Sequence, residues 1–295
     1  NILKESERIV DFNERKQTII ARLKGIKNLP AMPKVIHEVT ELIQKETTDT
    51  VTLARVLGKD QALTARILSV ANSPLYGLQR KVSSIEFAIL VLGLDEIYRL
   101  VMALSIASAF GKVAVPGFDY DEYWKHSLIV GTGSKDIARR LGFVEIATDA
   151  FVAGMLHDLG TQLIASYYRN EYNQIAARIA DQSFVPIVTE QEVMQADHQE
   201  VGSCLAEIWN LPAELCDAIL FHHHPSEFKG QSLLPAVIHL TDYLTSYHKT
   251  GAFRWDNGYV FDRNVIEMLS FSGEAEFNEF SADYAEVFKD SLAEL

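Results

Sequence analysis

Histidine and aspartate are the residues of this sequence whose types and order suggest chemistry. His157 and Asp158 are adjacent at the end of the apolar run FVAGML, and residues 222–224 are three consecutive histidines followed by a proline. Imidazole and carboxylate groups are common ligands of iron, manganese, zinc and nickel in proteins. The predicted metal ligands are, in chain order, His126, His157, Asp158, His198, His222, His223 and Asp242.

Each of these residues has a simpler interpretation when it is taken alone. A buried histidine commonly hydrogen-bonds within a core, as we expect for His37 and His239. Asp158 could cap the turn before Gly160, and the histidine triplet could end a helix, where imidazolium interacts with the helix dipole. Asp242, however, lies in an apolar segment where an unpaired carboxylate is costly. The full set exceeds the four ligands of one tetrahedral zinc ion, and it therefore predicts two ions that share Asp158.

The elements that position these residues are predicted to be helices. Residues 34–44 have an apolar stripe at helical spacing. Ser83 with Glu86 and Thr189 with Glu192 have the spacing of a helix-opening capping box. No run of alternating apolar and polar residues indicates a strand. The sequence therefore predicts an all-α protein.

The composition excludes several classes of partner. The chain has 295 residues, of which 27 are basic and 40 acidic, and its formal charge of −13 opposes nucleic-acid binding and attachment to anionic membranes.

The polar N-terminal sequence is not a secretory signal. Charged residues interrupt the most apolar stretch, 85–110, which predicts buried core helices. Cys204 and Cys216, both in helical stretches, predict a reduced, cytoplasmic protein.

Two glycine- and proline-containing stretches divide the chain. GKVAVPGFDY at 111–120 is the stronger boundary, and GAFRWDNGY at 251–259 is the weaker one. We predict an N-terminal helical lobe over 1–115, a helical core with the metal site over 116–250, and an acidic aromatic extension over 251–295. The aromatic residues of that extension could dock a partner or pack on the chain's own core.

The order of the ligands resembles that of the HD superfamily of metal-dependent phosphohydrolases, which is named for its His-Asp pair. A closer resemblance is to the HDOD family, the HD-related output domains of bacterial signalling. The segments that look like its N-terminal signature are LPAMPKVIHEV (29–39), LARVLGKDQALTARILSVANSPLYG (53–77) and SIEFAILVLGLDEIYRLV (84–101). The segments that continue it are WKHS (124–127), AGMLHDLG (153–160), DHQEVGSCLAEIWNLP (197–212) and HHHP (222–225). The resemblance covers roughly residues 20–250 and implies a helical lobe packed against an HD-like helical core.

The ligand order is also similar to that of the HD-GYP cyclic-dinucleotide phosphodiesterases. This similarity implies that the seven predicted ligands hold two metal ions, and that Glu122, one turn before His126, extends the site toward a third ion. Two features differ from that family. Thr161 follows HDLG where those enzymes have lysine, and SEFKGQS follows HHHP in place of a Gly-Tyr-Pro signature.

The resemblance implies a regulatory signalling domain with a divalent-metal site, which acts through a signalling protein partner. The alternative is an active phosphohydrolase, specifically a phosphodiesterase, whose substrate is a phosphorylated small molecule, nucleotide or cyclic dinucleotide. In that case a water activated by the ions attacks the phosphoester, and the histidines and carboxylates act as ligands. Neither interpretation involves nucleic-acid or membrane binding.

Overall fold

The computed structural model describes residues 2–45, 50–76, 78–111, 115–181, 184–256, 258 and 260–293. Over these residues the chain is helical, with no strand, so the all-α prediction is confirmed. None of the described helices is both long and apolar enough to cross a membrane.

The described residues of the first third of the chain form six α-helices. They are α1 (Ile2–Lys24), α2 (Lys34–Ile43), α3 (Thr50–Leu57), α4 (Gln61–Ala71), α5 (Ile85–Leu92) and α6 (Leu94–Ala107). The stripe predicted over 34–44 buries Ile36 and Val39, but His37 on the same helix is exposed, so its assignment to the core was wrong. The cap of α5 is Ser84, one residue later than predicted.

The apolar stretch 85–110 folds as two helices, as expected, and Gly93 separates them with a positive φ of 89°. Residues 97 and 100–107 of α6 are all buried. The helix packs on α2 and α4 and also on a helix of the following core, so it joins the two parts of the molecule.

The core that follows contains eight helices. They are α7 (Tyr120–Arg140), α8 (Ala147–Leu156), α9 (Leu159–Tyr167), α10 (Arg169–Ile179), α11 (Pro186–Met194), α12 (His198–Ile208), α13 (Ala213–Phe221) and α14 (Leu234–His248). Helix α7 packs on α8 and α14, and α12 packs on α9 and α13. Asp119 caps α7 by accepting hydrogen bonds from the backbone N–H groups of Asp121 and Glu122, both at 3.0 Å.

The two ends of the chain also pack on this core. Helix α1 lies on α12, where Arg15 pairs with Glu200 at 2.6 Å and Lys16 with Glu207 at 2.5 Å. The last helices are α15 (Asn264–Met268) and α16 (Glu274–Ala293), and α16 packs on α7 and α14.

The aromatic residues of the C-terminal segment are mostly buried. They therefore do not form an exposed tail. The buried ones are Phe271, Phe277, Tyr284 and Phe288. The Tyr284 hydroxyl also donates a hydrogen bond to Asp136 on α7 at 2.8 Å. The predicted domain limits at 115 and 250 stay predictions.

A buried polar cluster joins the N-terminal helices to the core. Glu96 on α6 is ion-paired with Lys135 on α7, and accepts hydrogen bonds from Tyr76 at 2.6 Å and Thr148 at 3.0 Å. Lys135 also lies 4.2 Å from the centre of the Tyr76 ring. Burial lowers the pKa of Lys135 to about 8. Burial opposes ionisation of Glu96 as well, but the Lys135 charge and the three hydrogen bonds lower the pKa of Glu96.

Replacing Lys135 with methionine should lower the free energy of unfolding by about 3 kcal/mol, because the buried Glu96 carboxylate loses its counter-charge. Urea unfolding followed by circular dichroism at pH 7 measures this loss. Adding Glu96→Gln should recover most of it, since the amide needs no counter-charge. Arg178→Ala breaks the exposed pair with Glu192 and is the control, which should cost less than about 1 kcal/mol. A loss no larger than the control contradicts the role of the cluster.

Candidate metal centre

The predicted ligands come from four helix ends and the faces of two further helices, which meet in the core. His157 ends α8, and Asp158 stands at the start of α9. His198 is the first residue of α12, and His222 ends α13. The remaining positions are His126 on α7, Asp242 on α14, and His223 just after His222.

One group of ligand atoms surrounds His126. Its Nε2 atom lies 3.1 Å from Nε2 of His157 and 3.4 Å from Oδ1 of Asp242. One ligand atom from each of these three residues lies within 4.8 Å of the others. Two imidazoles and one carboxylate with this spacing can bind the same transition-metal ion.

A second group surrounds His198. Its Nε2 atom lies 3.3 Å from Nε2 of His222 and 3.1 Å from Nε2 of His223. These three nitrogens also lie within 4.8 Å of one another. We call the two groups the His126 half (His126, His157, Asp242) and the His198 half (His198, His222, His223).

Asp158 lies between the two halves. Its Oδ1 atom is 3.5 Å from Nε2 of His198 and 4.0 Å from Nε2 of His222. Its Oδ2 atom is 3.6 Å from Nε2 of His157 and 3.9 Å from Nε2 of His126. Each carboxylate oxygen therefore faces a different half, which is the arrangement that the sequence interpretation requires of a shared ligand. Asp158 makes no side-chain cap to α9, so capping is not its role.

The backbone fixes which nitrogen of each imidazole faces the centre. Nδ1 of His157 lies 2.7 Å from the carbonyl oxygen of Gly154, and Nδ1 of His222 lies 2.7 Å from that of Ile219. A carbonyl oxygen only accepts, so Nδ1 carries the proton and donates it. Both histidines use the carbonyl three residues earlier, one of those that a helix end leaves without a partner. Nδ1 of His126 donates in the same way to the carbonyl of Gly251 at 2.9 Å.

Burial lowers the pKa of His157 to about 4, so the inward Nε2 of this neutral imidazole carries a lone pair that faces Nε2 of His126. Two imidazole lone pairs at 3.1 Å repel each other unless a proton or a metal ion lies between them. Burial, and then the neighbouring histidines, lower the pKa of His222 and His223 well below the usual value. These residues are therefore neutral, which excludes the imidazolium interaction with a helix dipole.

The carboxylates make the same site attractive to a cation. Burial opposes protonation of His198, but Glu190, Asp158 and Asp197 outweigh it and raise the pKa of His198 to about 10. Burial also opposes ionisation of Asp158, yet the surrounding histidines lower the pKa of Asp158. The centre thus combines the ionised Asp158 carboxylate with imidazole nitrogens, and this combination of ligand types fits divalent transition metals.

The structure adds a residue that the sequence interpretation did not single out. Glu190 on α11 is fully buried, and its Oε2 atom accepts hydrogen bonds from both the backbone N–H and Nδ1 of His198, each at 2.8 Å. Thr189, predicted to cap a helix from 190, instead lies inside α11 with its hydroxyl donating to the Val185 carbonyl. The capping box of this region is formed by Asp197 and opens α12.

Two glycines allow the helices to approach closely at the His-Asp pair. A Cβ atom on Gly160 of α9 would lie 1.9 Å from the carbonyl oxygen of His198, and one on Gly154 of α8 would lie 2.8 Å from Cα of Gly131. Both distances are shorter than any van der Waals contact. Only glycine at these positions permits the helix spacing that joins Asp158 to His198.

Other histidines and Glu122 lie outside the two halves. His239 is a buried structural residue, as expected: its Nδ1 donates to the His222 carbonyl at 2.7 Å, and its Nε2 accepts from the Asp262 N–H at 2.8 Å. Glu122 is half-buried near His126 and Arg254, and burial with the nearby Asp119 raises its pKa. It belongs to none of the ligand groups found among the described residues.

The centre is closed on most sides. Six of the seven predicted ligands are at most 2% exposed, and His223 is the partly exposed one. Any molecule that reached an ion here would approach from the side of His223. Whether the seven residues bind metal stays a prediction.

The comparisons with known proteins agree with this architecture. A family model described as HDOD domain matches residues 29–225. An uncharacterized protein of Treponema pallidum (strain Nichols) is 24% identical over 209 residues, which are 69% of this chain and 40% of that protein. The chain thus spans less than half the length of that curated relative.

Solved structures share the fold over nearly the whole chain. An HDOD domain protein of unknown function from Geobacter sulfurreducens has a TM-score of 0.78 at 25% identity, covering 96% of this chain and 99% of its own. A presumed phosphohydrolase from Shewanella amazonensis SB2B has a TM-score of 0.69 at 23% identity, covering 97% and 98%. A presumed signal-transduction protein from Marinobacter aquaeolei VT8 has a TM-score of 0.73 at 19% identity, covering 96% and 65%.

Replacing Gly160 with alanine should lower the free energy of unfolding by about 3 kcal/mol or more, because its Cβ cannot fit against His198 without separating α9 from α12. Urea unfolding measures the effect. Gly25→Ala is the control: its Cβ would lie 3.3 Å from the nearest atom, at the end of α1, and should change stability by less than about 1 kcal/mol. Equal stability of the two variants would show that the close approach is not required.

Proposed function

This chain belongs to the HDOD family, and we propose that it is a signalling module whose core holds two divalent transition-metal ions for a regulatory purpose. One ion would be bound by the His126 half and the other by the His198 half, with Asp158 as the shared ligand. Iron, manganese, zinc and nickel all suit such a ligand set.

The observation that carries this proposal is the set of opposed Nε2 atoms around Asp158. His126, His157 and His222 each donate the Nδ1 proton to a backbone carbonyl, and in the neutral His157 and His222 the inward Nε2 is therefore an acceptor. A purely structural histidine cluster would alternate donors and acceptors, as His239 does between a carbonyl and an N–H group. Cations resolve the repulsion and satisfy every inward nitrogen.

Two features favour a regulatory role over catalysis. The ligands are almost completely buried, which leaves little of the centre open to a substrate. Thr161, itself buried, stands where the HD-GYP phosphodiesterases have a lysine that could bind phosphate. The ions would then stabilise the core, and the signal would pass through contacts with a protein partner. The free, buried Cys204 and Cys216 suit work in a reducing cytoplasm.

Phosphoester hydrolysis is the second candidate, and a specific observation favours it. All seven ligands of a two-ion centre are present, and His223 is partly exposed beside the rest. Two bound ions would supply Lewis acidity toward a phosphoryl group and lower the pKa of a water. The residues of this chain would hold the ions, with the Nδ1 hydrogen bonds orienting each imidazole. The candidate substrates are a nucleotide or a cyclic dinucleotide that enters beside His223.

The number of bound ions tests the two-ion proposal. Elemental mass spectrometry of protein purified without chelator or affinity tag, under exclusion of air, should give about two transition-metal ions per chain. Asp158→Ala should remove both ions because it removes the shared ligand, whereas His126→Ala should remove about one. His37→Ala, which changes an exposed histidine on α2, should keep both. A native chain that neither contains nor takes up iron, manganese or zinc contradicts the proposal.

Hydrolysis assays separate the two candidate functions. The native protein loaded with Mn²⁺ should give no more product from bis(p-nitrophenyl) phosphate or cyclic dinucleotides than Asp158→Ala, because the buried centre does not admit these substrates. Metal-dependent turnover that is present in the native chain and absent in a folded Asp158→Ala variant would favour the phosphohydrolase. Circular dichroism confirms that the variant is folded.

A further inference from the structure

Glu190 is a buried carboxylate with an unusual set of partners. Its Oε2 atom accepts two hydrogen bonds from His198, and its Oε1 atom accepts one from the Trp255 indole N–H. These described partners include no lysine or arginine. A fully buried carboxylate without a cation is costly, so its negative charge needs compensation from the direction of His198.

Trp255 belongs to a short segment that contacts His126 directly and reaches His198 through Glu190. The Gly251 carbonyl at the start of the segment accepts the Nδ1 proton of His126. Phe253 stacks on the His126 ring with centroids 6.0 Å apart. Trp255 is buried and stacks on Tyr172 at 5.0 Å, with the rings inclined by 11°, which fixes its indole N–H toward Glu190. The segment lies beyond the residues 29–225 that the family model matches.

The two halves differ in how they receive negative charge. The His126 half contains Asp242 as a ligand candidate, whereas the three ligand candidates of the His198 half are all imidazoles. The hydrogen bond from His198 Nδ1 to Glu190 brings a carboxylate to the His198 half in addition to the shared Asp158. Glu190 thus stands to the His198 half as Asp242 stands to the His126 half, but one hydrogen bond further from the ion.

We propose that Glu190, held in place by the Trp255 indole, is a positioning residue that gives the His198 half the negative charge that Asp242 gives the His126 half directly. This inference rests on the proposed two-ion centre. A carboxylate that accepts the second ring proton of a ligating histidine orients the ring and makes its other nitrogen a stronger ligand. Loss of such a partner commonly weakens metal binding by about 10- to 100-fold.

If Glu190 acts by positioning His198, its replacement should weaken metal binding at the His198 half alone. A general loss of structure would weaken metal binding at both halves. In a His126→Ala background, which retains the His198 half, Glu190→Gln should weaken Zn²⁺ binding by about 10- to 100-fold. In a His223→Ala background, which retains the His126 half, the same change should have no measurable effect. Zn²⁺ affinities of the full chain, stripped of metal, are measured by competition with a chromophoric chelator.

Trp255→Phe tests the hydrogen bond that the Trp255 indole N–H donates to Glu190. Phenylalanine keeps a ring against Tyr172 but lacks the N–H group that Glu190 accepts from, so binding at the His198 half should weaken, though less than in Glu190→Gln. One matched control is Glu192→Gln, which changes an exposed residue two positions further along α11. The other is Trp124→Phe, which changes a tryptophan whose ring packs against Arg66. Neither control should change Zn²⁺ binding.

The outcomes separate this inference from the proposed function. If the chain binds two Zn²⁺ ions and Glu190→Gln changes neither affinity, or weakens both equally, the proposed role of Glu190 is wrong. The two-ion centre then remains intact. A native chain that binds no Zn²⁺ overturns both. If Glu190→Gln does not fold by circular dichroism, Trp255→Phe decides by the same measurement.

Discussion

The rest of the core depends on one carboxylate, Asp158, among imidazole nitrogens that repel each other. Its two oxygens face His198 and His222 on one side and His157 and His126 on the other. An ionised group at this depth costs several kcal/mol unless charge or hydrogen bonds compensate it. The helices that converge here must therefore be held at fixed distances, because a displacement of any ligand leaves a charge or a lone pair without compensation.

Helix ends provide both the ligands and the groups that orient them. His157 and His222 each follow the last turn of a helix and donate Nδ1–H to the carbonyl three residues before. Those carbonyls would otherwise lack a partner within their helix. The same contact thus completes the helix end and turns Nε2 toward the centre. Glycine at 154 and 160 then lets α7, α8, α9 and α12 approach closely enough for these ends to meet.

The sequence contains enough information to predict the helical fold and the residues that meet in the buried His-Asp cluster, because both leave local patterns. Helical spacing of apolar residues is visible in short windows, and the His-Asp pair at the end of an apolar run marks a buried polar site. Glu190 leaves no such pattern, since its role depends on a contact with Trp255, 65 residues away. The Gly251 carbonyl leaves no pattern for a further reason. Every residue has a carbonyl, and only the folded chain brings this one to His126. The sequence also did not decide whether Phe277 and Phe288 are buried, because the pattern of an amphipathic helix does not specify which surface the helix covers.

The geometry that would hold two ions is the same for a regulatory module and for a hydrolase, so the predicted ligand set alone does not distinguish the two functions. What distinguishes them is the space around the ions, and here six ligands are buried while His223 reaches the surface. The predicted ligands come from segments between residues 126 and 242. Residues 251–255 contact one of them, His126, and also contact Glu190, the partner of His198. Ion binding would therefore fix the relative positions of α7, α9, α12 and α14 together. Because α1 packs on α12 and α6 packs on α8, that order would extend to both lobes of the chain, where a protein partner could detect it.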